Sequence, residues 1–116
     1  MLAATTQLRD LGGRADAVLA QAQQYLGEIE IAAGRPAEAI APLQEGATLL
    51  AKFAASGWNL AVMRERLAEA LIATGRPGAA SLLTEARTVL VAELGESHPE
   101  TVRAERVLQT LRPAAT

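Results

Sequence analysis

The chain has 116 residues, a formal net charge of -2, and a composition that is 50% apolar but only 3% aromatic. That length suits one packed domain, and so small a charge gives no general attraction to nucleic acid or to an anionic membrane. No run approaches the roughly 20 apolar residues of a membrane span, and no basic stretch followed by an apolar one opens the chain. The lack of cysteine excludes disulfides and thiolate zinc sites. A cytoplasmic location is the expectation, and the excess of arginine over a single lysine suggests a GC-rich bacterial genome.

Alanine and leucine dominate the apolar half, which favours closely packed helices over sheets. In chain order, the first predicted helix covers 2–12 and carries Leu2, Leu8 and Leu11. After a very short turn the second, 15–33, places Leu19, Ala22, Leu26, Ile29 and Ala33 on one face by alternating steps of three and four. Gly34 suits the left-handed conformation that ends a helix, and Pro36 suits the first turn of the third, 36–54, with Ala39, Leu43, Leu50 and Ala54 as its apolar positions. Pro42 removes a backbone hydrogen bond inside it, so a bend is expected there. Ser56 is the expected cap of the fourth helix, 57–74, which carries Leu60, Met63, Leu67, Ala70 and Thr74. Gly75 and Pro77 repeat the stop and start before 77–94, with Ala79, Leu83, Ala86, Leu90 and Leu94. Ser97-His98-Pro99-Glu100 reads as a capping box for the last helix, 98–111, with Thr101, Ala104, Leu108 and Leu111.

One spacing organises these elements. Leu26, Leu67 and Leu108 stand 41 residues apart, as do Leu19 and Leu60, Glu28 and Glu69, Ile31 and Ile72, and Gly34-Arg35-Pro36 and Gly75-Arg76-Pro77. Leu8, Leu49 and Leu90 follow the same spacing. Self-similarity at such a period marks a stack of helical supersecondary units, each burying its apolar face against its neighbours. Leu26 and Leu67 are therefore expected to be almost fully buried between adjacent helix pairs.

With its Gly-Arg-Pro turns and Leu94-Gly95-Glu96-Ser97-His98-Pro99-Glu100-Thr101, the chain resembles the tetratricopeptide repeat family, in particular the roughly 42-residue kinesin-light-chain-like variant common in bacterial regulators. Leu26-Gly27 with Gly34 and Ala39 fits that family's spacing, whereas Glu30, Gly46 and Ala68 depart from it. The resemblance implies an all-α fold of antiparallel helix pairs stacked as a short right-handed solenoid over 1–116. Residues 1–13 would be part of a second helix from a preceding repeat, 14–55 and 56–96 two repeats, 97–112 the first helix of a third or a capping helix, and 113–116 a tail.

In that family the first helix of each pair lines a concave face. Carried over by position, the lining residues would be Gln21, Gln24 and Glu28, then Val62, Glu65 and Glu69, then Arg103, Arg106 and Thr110. The resulting groove would be acidic in its middle and basic at its C-terminal end. Each trio also serves as the solvated face that any amphipathic helix needs. Lys and Asn at these places are what the family's chaperone-tail binders use to clamp a carboxylate, and the glutamates here would repel one. Trp58 stands at a helix start, where a large ring either anchors a partner or covers the preceding helix end at Phe53 and Ala54. His98, the single histidine, reads as part of the turn.

No phosphate-binding loop, paired catalytic carboxylates or nucleophile motif is present, so the expectation is a non-catalytic chain without cofactor or metal. The resemblance implies a scaffold that binds a protein or peptide, as the C-terminal module of a larger bacterial regulatory protein. The alternative is a homo-oligomerisation module. Leu2, Leu8 and Leu11 at one end and Val102, Val107, Leu108 and Leu111 at the other look uncapped, so a homodimer through a terminal helix is expected.

Overall fold

The computed structural model describes residues 2–52 and 57–111, with side chains from residue 15 onward. It contains α1 (Leu2–Ala32), α2 (Pro36–Ala51), α3 (Trp58–Ala73), α4 (Ala79–Leu94) and α5 (Pro99–Leu111), and no strand occurs among the described residues. The predicted break after residue 12 is absent: 2–12 and 15–33 form one helix of 31 residues. Each helix packs on the next in sequence, while α1 and α3, and α3 and α5, also touch. The chain therefore forms two layers, with α1, α3 and α5 in one and α2 and α4 in the other. No described helix is long and apolar enough to cross a membrane.

The two Gly-Arg turns are alike down to their hydrogen bonds. Gly34 (φ 79°) and Gly75 (φ 69°) both adopt the left-handed conformation. Gly34 N–H donates to the Ile31 carbonyl and Arg35 N–H to that of Glu30, just as Gly75 donates to Ile72 and Arg76 to Leu71. This pair of bonds satisfies carbonyls that the helix end leaves open, and glycine adopts the required φ without a Cβ penalty. The starts that follow differ. Pro36 opens α2, but α4 begins only at Ala79, because Gly78 takes φ 102° and cannot belong to the helix. α2 runs without interruption through the buried Pro42.

The cap of α5 differs from the expected box. The His98 ring accepts a hydrogen bond at Nδ1 from Glu100 N–H (3.1 Å), and the His98 carbonyl accepts from Val102 N–H. The Glu100 carboxylate, expected to reach back to Ser97, instead reaches Arg66 in α3. Ser56, Phe53 and Ala54, singled out above as a cap and as cover for Trp58, lie outside the described residues, as do the side chains of Leu2, Leu8 and Leu11.

The core forms two clusters. Ala20, Ala39, Leu43, Leu50, Leu60, Met63, Leu67, Leu71 and Leu83 join α1 to α4, and Ala61, Val62, Ala86, Leu90 and Ala104 join α3 and α4 to α5. Leu67 is buried as expected, but Leu26 is not. It is 45% exposed, and Leu19 and Ile29 on the same face are exposed with it. α1 turns Ala20 and Gly27 to α2, which leaves Leu26 and Ile29 exposed, while Leu19 borders a hollow with Gln44, Thr48 and Leu49 of α2. At Gly27 a Cβ would collide with the Leu43 side chain, so the close approach of α1 and α2 requires the missing side chain.

Candidate functional site

Arg66 is the centre of the polar face formed by α1, α3 and α5. Its guanidinium is nearly buried and reaches three helices at once: Nε lies 3.0 Å from Glu28 Oε1 in α1, Nη2 lies 2.9 Å from Glu100 Oε2 in α5, and Nη1 pairs with Glu65 in α3. The second cation, Arg103 in α5, forms a two-pronged pair with Glu69 at 2.7 and 3.0 Å, and stands 3.7 Å from Glu65 Oε1. Gln24 extends the chain of contacts by donating to Glu28 (3.3 Å). Planar guanidinium groups suit this role because several donors point in fixed directions.

Burial decides how the carboxyls titrate. Glu65 has no exposed surface, and its Oε1 lacks a hydrogen-bond donor. Burial, followed by its hydrogen bond with Glu69 and that group's negative charge, pushes Glu65 up to about 8 against the pull of Arg66. Burial also acts to raise Glu69, but hydrogen bonds from Glu65 and Arg103 more than offset it and hold Glu69 below its ordinary value. A protonated Glu65 donates to Glu69, which gives the buried carboxyl a hydrogen bond that its ionised form could not make. Burial disfavours the charge on Arg66, yet its hydrogen bond to Glu100 and the Glu65 carboxyl leave it raised overall. Arg103 is raised first by its hydrogen bond to Glu69.

The positions expected to line a groove divide into three groups. Glu28, Glu65, Glu69 and Arg103 do come together, around an arginine that the repeat pattern did not single out. Gln21 and Gln24 line a neighbouring cleft with Tyr25, Leu50, Trp58, Asn59 and Met63. Val62 and Arg106 belong to neither. Val62 is a core residue in the cluster with Leu90 and Ala104, because α3 is covered on that side by α4 and α5. Arg106 is exposed and lines a separate hollow with Arg87, Val91 and Gln109; Thr110 is exposed as well. Glu65 is in the network but inaccessible, so it supports the face without presenting a charge to a ligand.

Arg66 left one trace in the sequence. It stands between Met63 and Ala70 at helical spacing, so a cation interrupts an apolar stripe, and such a residue is buried only with partners. Its repeat equivalents, Tyr25 and Val107, share no chemistry with it, so the 41-residue comparison passed over it. Trp58, at the start of α3, is half exposed, and its backbone N–H donates to Glu93. Among the described residues no group of three or more acidic or histidine side chains is placed to hold a metal ion. The two guanidiniums are already engaged by glutamates, so this face offers no open anion seat. No protein-family model, curated protein or solved structure matches the chain.

Proposed function

We propose that the chain is a non-catalytic scaffold of the tetratricopeptide-like kind, a short solenoid of helix pairs that binds an extended polypeptide across the face of α1, α3 and α5. The observation that carries this reading is the cleft flanked by Tyr25 and Trp58. Both rings are about half exposed, and between them stand Gln21, Gln24 and Asn59. Aromatic rings supply large contact area with little entropy to lose, and side-chain amides both donate to and accept from a peptide backbone. The Arg66 network adjoins the cleft through Gln24 and Glu28 and holds the three helices in fixed relation. The ligand class favoured is a segment with apolar or aromatic side chains, and not a free carboxylate terminus. A role within a larger cytoplasmic bacterial regulator agrees with the repeat architecture.

Peptide display against the purified chain tests this. Selected peptides should lose at least about tenfold in affinity, the scale of a binding hot spot, when Tyr25→Ala and Trp58→Ala are combined, with the melting temperature little changed. Peptides that bind the double variant as tightly as the parent would place the binding face elsewhere.

A further inference from the structure

The outer face of α1 is an unfilled seat, and the repeat identifies what fits it. Leu19, Ala22, Leu26 and Ile29 are all exposed. Their equivalents 41 residues on, Leu60, Met63, Leu67 and Ala70, are all buried. Met63 is covered by α2, since a Cβ on Gly46 would lie 2.7 Å from its sulfur. In the next unit Ala104 of α5, the counterpart of Met63 and Ala22, shares a cluster with Ala86 and Leu90 of α4. A second-type helix thus seats on this face twice, and among the described residues none seats on that of α1.

The sequence of the missing helix lies in the same chain. Ala4, Leu8 and Gly13 stand 82 residues before Ala86, Leu90 and Gly95, the two buried contact residues of α4 and the glycine that ends it with φ 90°. Residues 2–12 therefore carry the pattern of a second-type helix, but they form one continuous helix with the rest of α1 and so cannot fold back on its stripe.

We infer that the occupant is the 2–12 segment of a second copy, exchanged reciprocally across a twofold axis. Two α1 helices then cross antiparallel at the Gly12-Gly13 pair, where the absence of side chains permits close approach. Exchange of an identical element is a low-cost route to a closed dimer, and reciprocity doubles an apolar contact that one short helix would leave small. This inference does not rest on the peptide-binding cleft, although the two surfaces adjoin, since Ala22 shares a hollow with Gln21 and Tyr25.

Sedimentation equilibrium of the whole chain should return twice the 12.1 kDa protomer mass. Leu26→Glu and, separately, Leu8→Glu should each shift the population to monomer with the helical circular dichroism retained. Because the chain has no cysteine, Ala4→Cys and Ala22→Cys introduced into different chains and mixed should be joined by a short bis-maleimide into a cross-linked pair. Placed in one chain, the same two substitutions should also cross-link mainly between copies. A monomer in the parent protein, a dimer indifferent to both glutamate substitutions, or a cross-link confined within single chains would each overturn the exchange; the last would mean that the segment folds back on its own α1.

Discussion

Leu26 and Leu67 occupy the same position in successive copies of the repeat, yet Leu26 is 45% exposed and Leu67 only 6%. The difference is one of neighbours. Leu67 lies between α2 and α4, whereas among the described residues α1 has α2 on one side and no second-type helix on the other. Leu67→Ala should cost about 2 to 5 kcal/mol in urea unfolding, the range for a buried leucine that leaves a cavity. Leu26→Ala, measured under conditions where the chain is monomeric, should cost less than about 1 kcal/mol, since half-exposed positions contribute little. Equal losses would mean that the two leucines share one environment.

Arg66 joins α1, α3 and α5 through Glu28, Glu65 and Glu100. Its removal leaves the protonated Glu65 carboxyl buried without that hydrogen-bond partner and Glu28 and Glu100 without their counter-charge, so Arg66→Ala should destabilise by about 1 to 3 kcal/mol, the range for a buried polar group left unsatisfied. Replacing both partners by apolar residues of similar volume, Glu65→Leu with Arg66→Met, should recover most of that loss, because a buried polar group left unsatisfied is the main cost. A double variant no more stable than Arg66→Ala alone would locate the contribution in Glu28 and Glu100 instead.

Stability should fall as pH rises from about 4.5 to about 8. An unfolded Glu65 titrates near 4.5 and the folded one near about 8, so between these values the folded chain holds a proton that the unfolded chain has released. The contribution is complete below about 4.5, declines as pH rises, and is lost above about 8. Glu69, lowered by folding, acts in the opposite sense, and its contribution is lost as pH falls below its ordinary range. Glu65→Gln should flatten the decline of the urea midpoint between about pH 4.5 and 8. An unchanged decline would assign it to another group.

Two glycines separate a steric from a conformational requirement. Gly27→Ala drives a methyl into Leu43 and should cost about 1 to 3 kcal/mol, the usual range for overpacking. At Gly75 there is open space but φ is 69°, so Gly75→Ala should cost about 1 kcal/mol through backbone strain alone. If the two losses were the same and the α1–α2 packing unperturbed by NMR, the close approach at Gly27 would not be what the structure describes.

The periodic leucines, the Gly-Arg-Pro turns and the helical composition placed six helices, the first two of which are one, and two equivalent chain reversals, because local spacing and backbone freedom determine them. Local rules also misplaced three boundaries. The turn expected after residue 12 runs on as helix, α4 waits until left-handed Gly78 has passed, and the α5 cap is a histidine ring because Glu100 is drawn away to Arg66. Contacts made far along the chain decided the rest. Whether a leucine of the repeat is core or surface depends on having a helix on each side, which separates Leu67 from Leu26. Whether a glutamate on a helical stripe meets solvent or a buried guanidinium depends on how α1, α3 and α5 converge. That convergence turned Glu65 from an expected groove charge into a buried proton carrier, and no spacing within one helix encodes it.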